Sequence, residues 1–150
     1  MLNTKMLGGI LFVLALAGCG HSRDIDTEAA RKLSDAFMSD WIGHLPDSAF
    51  EKMEPAFTGV INRSDFAQQL EKLSNYCGWP LDSELKVIQS GFKIYTDGHK
   101  NPTRKFIYAA TTTQLAKGQC YFSVEIAPSG DTLKVTTFGP LKVTSGNPYP

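Results

Sequence analysis

The chain is poor in the residues and motifs that announce chemistry. It carries three cysteines and three histidines among 150 residues, and no cluster of them has the spacing of a tetrahedral metal site, so no metal is expected. The nucleophile signatures G-x-S-x-G and S-x-x-K with its partners are missing, as is an activated Cys with a companion His. Phosphate-cradling loops of the G-x-x-x-x-G-K or G-x-G-x-x-G type are missing too, so no nucleotide cofactor is expected. No charge predominates: fifteen basic residues cancel fifteen acidic ones, which removes the overall field that favours nucleic acid. A membrane-spanning run is also lacking. The longest apolar stretch, Met6 to Ala17, has twelve residues, whereas a transmembrane helix needs about twenty.

What the chain does have is a core-forming composition. Hydrophobic residues make up 42% and aromatics 11%, with nine Phe, five Tyr and two Trp. That is enough apolar surface to offset the ordering entropy of one domain, so disorder is excluded as the dominant state. The length leaves no room for a second domain.

The first residues, MLNTKMLGGILFVLALAGC, place Lys5 before the apolar stretch and small residues before Cys19, the layout of an export signal. Leu16-Ala17-Gly18-Cys19 resembles the lipobox of bacterial lipoproteins at every position. An ordinary secretory peptide with an incidental Cys is the alternative. The resemblance implies diacylation of the Cys19 thiol, cleavage after Gly18 and acylation of the new amino terminus, so that residues 1–18 are removed and 19–26 form a lipidated tether. Gly20 after the acylated Cys implies forwarding to the outer membrane, facing the periplasm. Several acyl chains, at about 0.8 kcal/mol per buried methylene, anchor a protein effectively permanently. The mature chain then has 150 − 18 = 132 residues, and the loss of Lys5 leaves fourteen basic against fifteen acidic groups.

With Cys19 lipidated in an oxidising compartment, Cys77 and Cys120 remain as an even pair. That reads as a disulfide, with two buried free thiols as the alternative.

Helical periodicity comes first. Ala30, Leu33, Phe37 and Trp41, flanked by Met38 and Ile42, form one stripe from Thr27 to about Gly43, capped by Asp26 or Thr27. Pro46 and Asp47 break the chain, and Ser48 with Glu51 reads as the capping box of a second helix carrying Phe50, Met53 and Phe57, ended or kinked at Pro55. A third helix spans about Ser64 to Tyr76, stopped by Gly78. After Pro80 the period changes, and four strands are expected near Leu85–Thr96, Arg104–Leu115, Gln119–Ala127 and Thr132–Val143. Gly91 and Gly139-Pro140 mark expected bulges or bends. Cys120, Phe122, Val124 and Ile126 share the core face.

Three helices followed by four antiparallel strands give an α+β domain over residues 27–145, its helices covering one face of a curved sheet, with a tail at 146–150. This order resembles the NTF2-like cone, particularly that of small envelope lipoproteins; a cystatin-like sheet gripping a helix is the neighbouring alternative. Catalytic members of that superfamily work in the mouth of the cone. The candidates here are Asp40 and His44, one helical turn apart, and the pair reads equally as a helix-end charge contact. His21 and His99 read as solvated.

Trp41, Trp79, Tyr95, Tyr108 and Tyr121 are the candidate ligand or partner contacts, with the tyrosine hydroxyls expected on the open sheet face. In the second strand neither face is strongly polar, so a second copy of the sheet is a candidate cover and a homodimer a candidate assembly. Thr111-Thr112-Thr113 reads as strand, and Lys100, Arg104 and Lys105 as a solvated edge or a contact for an anionic partner. The favoured function is a noncatalytic envelope binding module for a protein partner or small apolar ligand. A SnoaL-like or isomerase-type enzyme using Asp40 and His44, and an immunity or inhibitor lipoprotein against an envelope toxin, are the alternatives. A core filled by Phe37, Trp41, Phe66, Phe122 and Ile126 would leave only the surface as a site.

Overall fold

The computed structural model describes residues 24–114 and 120–141; Cys19, the lipobox, His21 and the 146–150 tail lie outside the described residues. Four helices precede four strands: α1 (Thr27–Ile42), α2 (Pro46–Glu51), α3 (Pro55–Thr58), α4 (Arg63–Cys77), β1 (Glu84–Ile94), β2 (Lys100–Ala110), β3 (Cys120–Ser129) and β4 (Thr132–Pro140). The strands form one antiparallel sheet in the order β1-β2-β3-β4, because the short links between them cannot support crossovers. No helix among the described residues is long and apolar enough to cross a membrane.

Asp26 caps α1 by accepting the backbone N–H groups of Glu28 and Ala29. The stripe read from the sequence is the buried one: Ala30, Phe37, Met38 and Trp41 have no exposed surface. The second helix differs from expectation. Ser48 and Glu51 form no capping box; Pro46 opens α2 instead of breaking the chain, and Pro55 opens the additional helix α3. Proline suits the first turn of a helix because the N–H it lacks would be unpaired there. Between those helices, Met53 bridges Val135 in parallel, with Glu54 N–H donating to Val135 and Val135 N–H donating to Lys52. The 52–54 segment therefore lies along the outer edge of β4.

On the helix side, Phe106, Tyr108 and Ala110 of β2, Cys120, Phe122, Val124 and Ile126 of β3, and Val135 of β4 join Phe37, Trp41, Phe66 and Leu70 in one core. Trp41 packs edge-on against Phe122 at 5.2 Å and Phe138 at 5.7 Å, contacts worth about 0.5–1.5 kcal/mol each beyond area burial. The expected bulges sit elsewhere: Gly91 pairs regularly with Thr103 and Gly139 with Ser123. The register instead shifts at Leu85/Val87 in β1 and opposite Glu125/Ile126 in β4, so Lys86 and Thr136 are the extra residues and no glycine marks either.

The face away from the helices is also largely buried. Ile107, Ala127, Ala109 and Thr103 are inaccessible within a single chain, so the apolar residues for which a second copy was the expected cover are already covered. Curvature supplies part of that cover. Lys93 of β1 and Glu54 beside β4 form an ion pair, although four strand spacings of about 4.8 Å would separate those edges by about 19 Å in a flat sheet. The sheet is bent until its two margins meet across that face.

Candidate functional site

Phe37, Trp41, Phe66, Phe122 and Ile126 are all fully buried, so the space between helices and sheet is filled by side chains. The expected Asp40–His44 pair is not formed. The Asp40 carboxylate instead accepts from Lys52 Nζ at 2.5 Å, and that ammonium also donates to the Ser48 carbonyl and hydroxyl at 3.2 and 3.1 Å. This contact ties α1 to the end of α2. His44 lies beyond α1 with φ of 56°. Its N–H donates to Trp41 and the Leu45 N–H to Asp40, which is the Schellman pattern that ends helices, here with His where Gly is usual. Its ring stacks on Trp79 at 4.2 Å and 7°, a contact that offsets the roughly 1–2 kcal/mol cost of a left-handed non-glycine residue.

The aromatic candidates divide. Trp41 is a core residue whose indole N–H donates to Ser74 Oγ at 3.2 Å, while Ser74 donates to the Leu70 carbonyl. Tyr108 lies on the helix side and not on the open face: its hydroxyl sits 2.7 Å from Ser34 Oγ and 2.8 Å from Asp35 Oδ1. Burial pushes the phenol above its ordinary range, with the Asp35 carboxylate adding to the effect. Tyr121 stands on the open face by its pairing with Ala109. Tyr95 belongs to the β1–β2 hairpin, against Lys93 and His99.

The structure brings Cys77 and Cys120 together, with 6.3 Å between Cα atoms, inside the range a disulfide spans. Beside them is a latch that sequence reading missed. Thr111, Thr112 and Thr113 lie past the end of β2 and hold the 77–82 segment. Thr112 Oγ1 donates to the Cys77 carbonyl, Trp79 N–H donates to Thr113 Oγ1 at 3.0 Å, and Thr111 donates to Asp82 through both N–H and hydroxyl at 2.7 Å. The Thr111 bonds hold the Asp82 carboxyl below its ordinary value of 3.8. Gly78, with φ of 94°, threads this latch; a Cβ there would lie 2.7 Å from Gln114 N and Thr112 Oγ1.

Two surface features remain. An open cleft of about 500 Å³ lies between α1 and β1, lined by Thr27, Glu28, Arg31, Lys32, Asp35 and Ile88. The helix-side row of β1 continues beyond the helices: Ile88, Phe92 and Ile94 are 42%, 69% and 65% exposed. The alternating apolar residues of β1 carried that signal, but an apolar strand face reads as core unless the number of helices available to cover it is known. On the same face Arg104 pairs with Asp24 at 2.7 Å, whereas Lys105 pairs in register with Gln89 and Glu125 on the other. No group of three or more His, Cys, Asp or Glu among the described residues is arranged to hold a metal ion. No family model, curated protein or solved structure matches the chain.

Proposed function

We propose that the protein is a noncatalytic lipoprotein of the bacterial envelope, anchored by acylated Cys19, whose single domain takes a small apolar ligand in the cleft between α1 and β1. The observation that carries this reading is the division of the surface. Asp40, His44 and Tyr108, the groups best suited to acid–base work, are held in structural contacts, while the cleft presents Ile88 and the aliphatic stems of Arg31 and Lys32. The α+β order with helices on one side of a bent sheet supports the NTF2-like comparison. The oxidising compartment that the anchor implies supports a Cys77–Cys120 disulfide.

Titration with a fluorescent anilinonaphthalene sulfonate tests the cleft. The processed chain should bind the dye saturably. Ile88→Asp should abolish that binding while leaving the chain folded, at a cost of about 1–2 kcal/mol, since Ile88 is more than half covered. Undiminished binding by that variant would defeat the assignment.

A further inference from the structure

The exposed end of β1 lies where the chain enters the domain. Ser90, between Ile88 and Phe92 on the helix-side row, pairs with Arg104, and Arg104 holds Asp24. The five steps from Cys19 to Asp24 span at most about 17 Å. A lipid on Cys19 therefore keeps this corner, and not the far end of the sheet, near the headgroups. Lys100 pairs with Ile94 and so shares its face, and it makes no ion pair among the described residues. Two acidic groups of this corner are engaged elsewhere: Asp97 accepts the His99 N–H at 2.9 Å and Asp24 is held by Arg104.

From this juxtaposition of tether, bare apolar side chains and an unpaired ammonium, we infer that Phe92 and Ile94 insert into an anionic phospholipid bilayer, with Lys100 at the phosphate level. The inference rests on the lipid-anchor reading. Seating Phe92 and Ile94 at the boundary of headgroups and acyl chains, roughly 5 to 10 Å deep, makes the corner a second point of attachment. Two attachments fix the orientation of the domain, which one flexible tether cannot do.

A tryptophan scan of the processed full-length chain in vesicles of phosphatidylethanolamine and phosphatidylglycerol, with and without brominated acyl chains, tests this. Leu81 is the control: it is apolar and 57% exposed, and it bonds to Thr111, nine residues along β2's course from Pro102, the partner of Phe92. That places it about 30 Å away along the sheet. With the emission of the unsubstituted chain subtracted, the indole introduced by Phe92→Trp should be quenched by bromine at least about twofold more than that introduced by Leu81→Trp. Lys100→Glu should lower that quenching.

Equal quenching at the two positions in a membrane-bound chain would overturn the inference and leave the anchor standing. Emission from the Phe92→Trp indole that is blue-shifted yet insensitive to bromine would show cover by a second copy and would overturn it as well. Should Cys19→Ser leave membrane retention unchanged, the anchor reading itself fails and the inference falls with it.

Discussion

Removing the proposed Cys77–Cys120 disulfide between α4 and β3 is the perturbation whose size can be worked out most directly. Cys77 and Cys120 are separated by 43 positions. In the chain-entropy relation, closing a loop of that size lowers the entropy of the unfolded chain by about 13 cal/mol/K, or about 4 kcal/mol at 25 °C. The threonine latch around Cys77 does not substitute for this, because its hydrogen bonds exist only in the folded state. Unfolding the 113 described residues carries an entropy near 240 cal/mol/K, so the expected fall in Tm is about 17 °C. The measurement is urea and thermal unfolding of the Cys77→Ser/Cys120→Ala double variant beside the parent, each with and without dithiothreitol. Reductant should move the parent down to the level of the double variant and should not move the variant. Two free thiols would behave otherwise: reductant would do nothing to the parent, and the double variant would lose only the packing of two small side chains. An unshifted parent in reductant refutes the bond.

Gly78→Ala should cost about 3 kcal/mol or more, read as a lower urea midpoint, since it adds backbone strain at a positive φ to a clash with the Gln114 backbone. Asp82 gives a pH dependence of definite sign. Its carboxyl is lowered in the folded state, so its contribution is complete above the ordinary value of 3.8 and is lost as pH falls through the lower folded value. The Tm difference between the parent and Asp82→Asn should therefore be present at neutral pH and close in acid; a gap that widens in acid contradicts the assignment. Tyr108→Phe should destabilise by about 1–3 kcal/mol, because the buried Ser34 hydroxyl loses its partner.

Much of the architecture was legible because local rules and tertiary packing agree here. The α1 stripe, its Asp26 cap, the α4 stop at Gly78 and the antiparallel meander all follow from periodicity and turn residues. Proline was the main source of error: Pro46 and Pro55 read as breaks, yet each is the first residue of a helix, and nothing local separates the two roles. The bulges at Lys86 and Thr136 arise from fitting strands to a bent sheet and leave no glycine as a marker. Parity failed for Tyr108 because both faces of β2 are apolar, so alternation could not tell the helix side from the other.

The site residues were harder for a related reason. Asp40 found Lys52 and His44 found Trp79 across 12 and 35 positions, and helical spacing says nothing about partners that distant. The threonine run had the same fault: β propensity accounted for it too cheaply, when its bonds to Cys77, Trp79 and Asp82 depend on how β2 ends against α4. The bare row of β1 escaped notice because the sequence shows which residues share a face but not how far the helices extend over it.

The intact mass of the membrane-extracted protein tests the central claim most directly. The account predicts a chain beginning at Cys19, heavier by a diacylglyceryl thioether and an amide-linked acyl group. A mass that retains residues 1–18, or a processed chain whose Cys19 thiol is free, would contradict it.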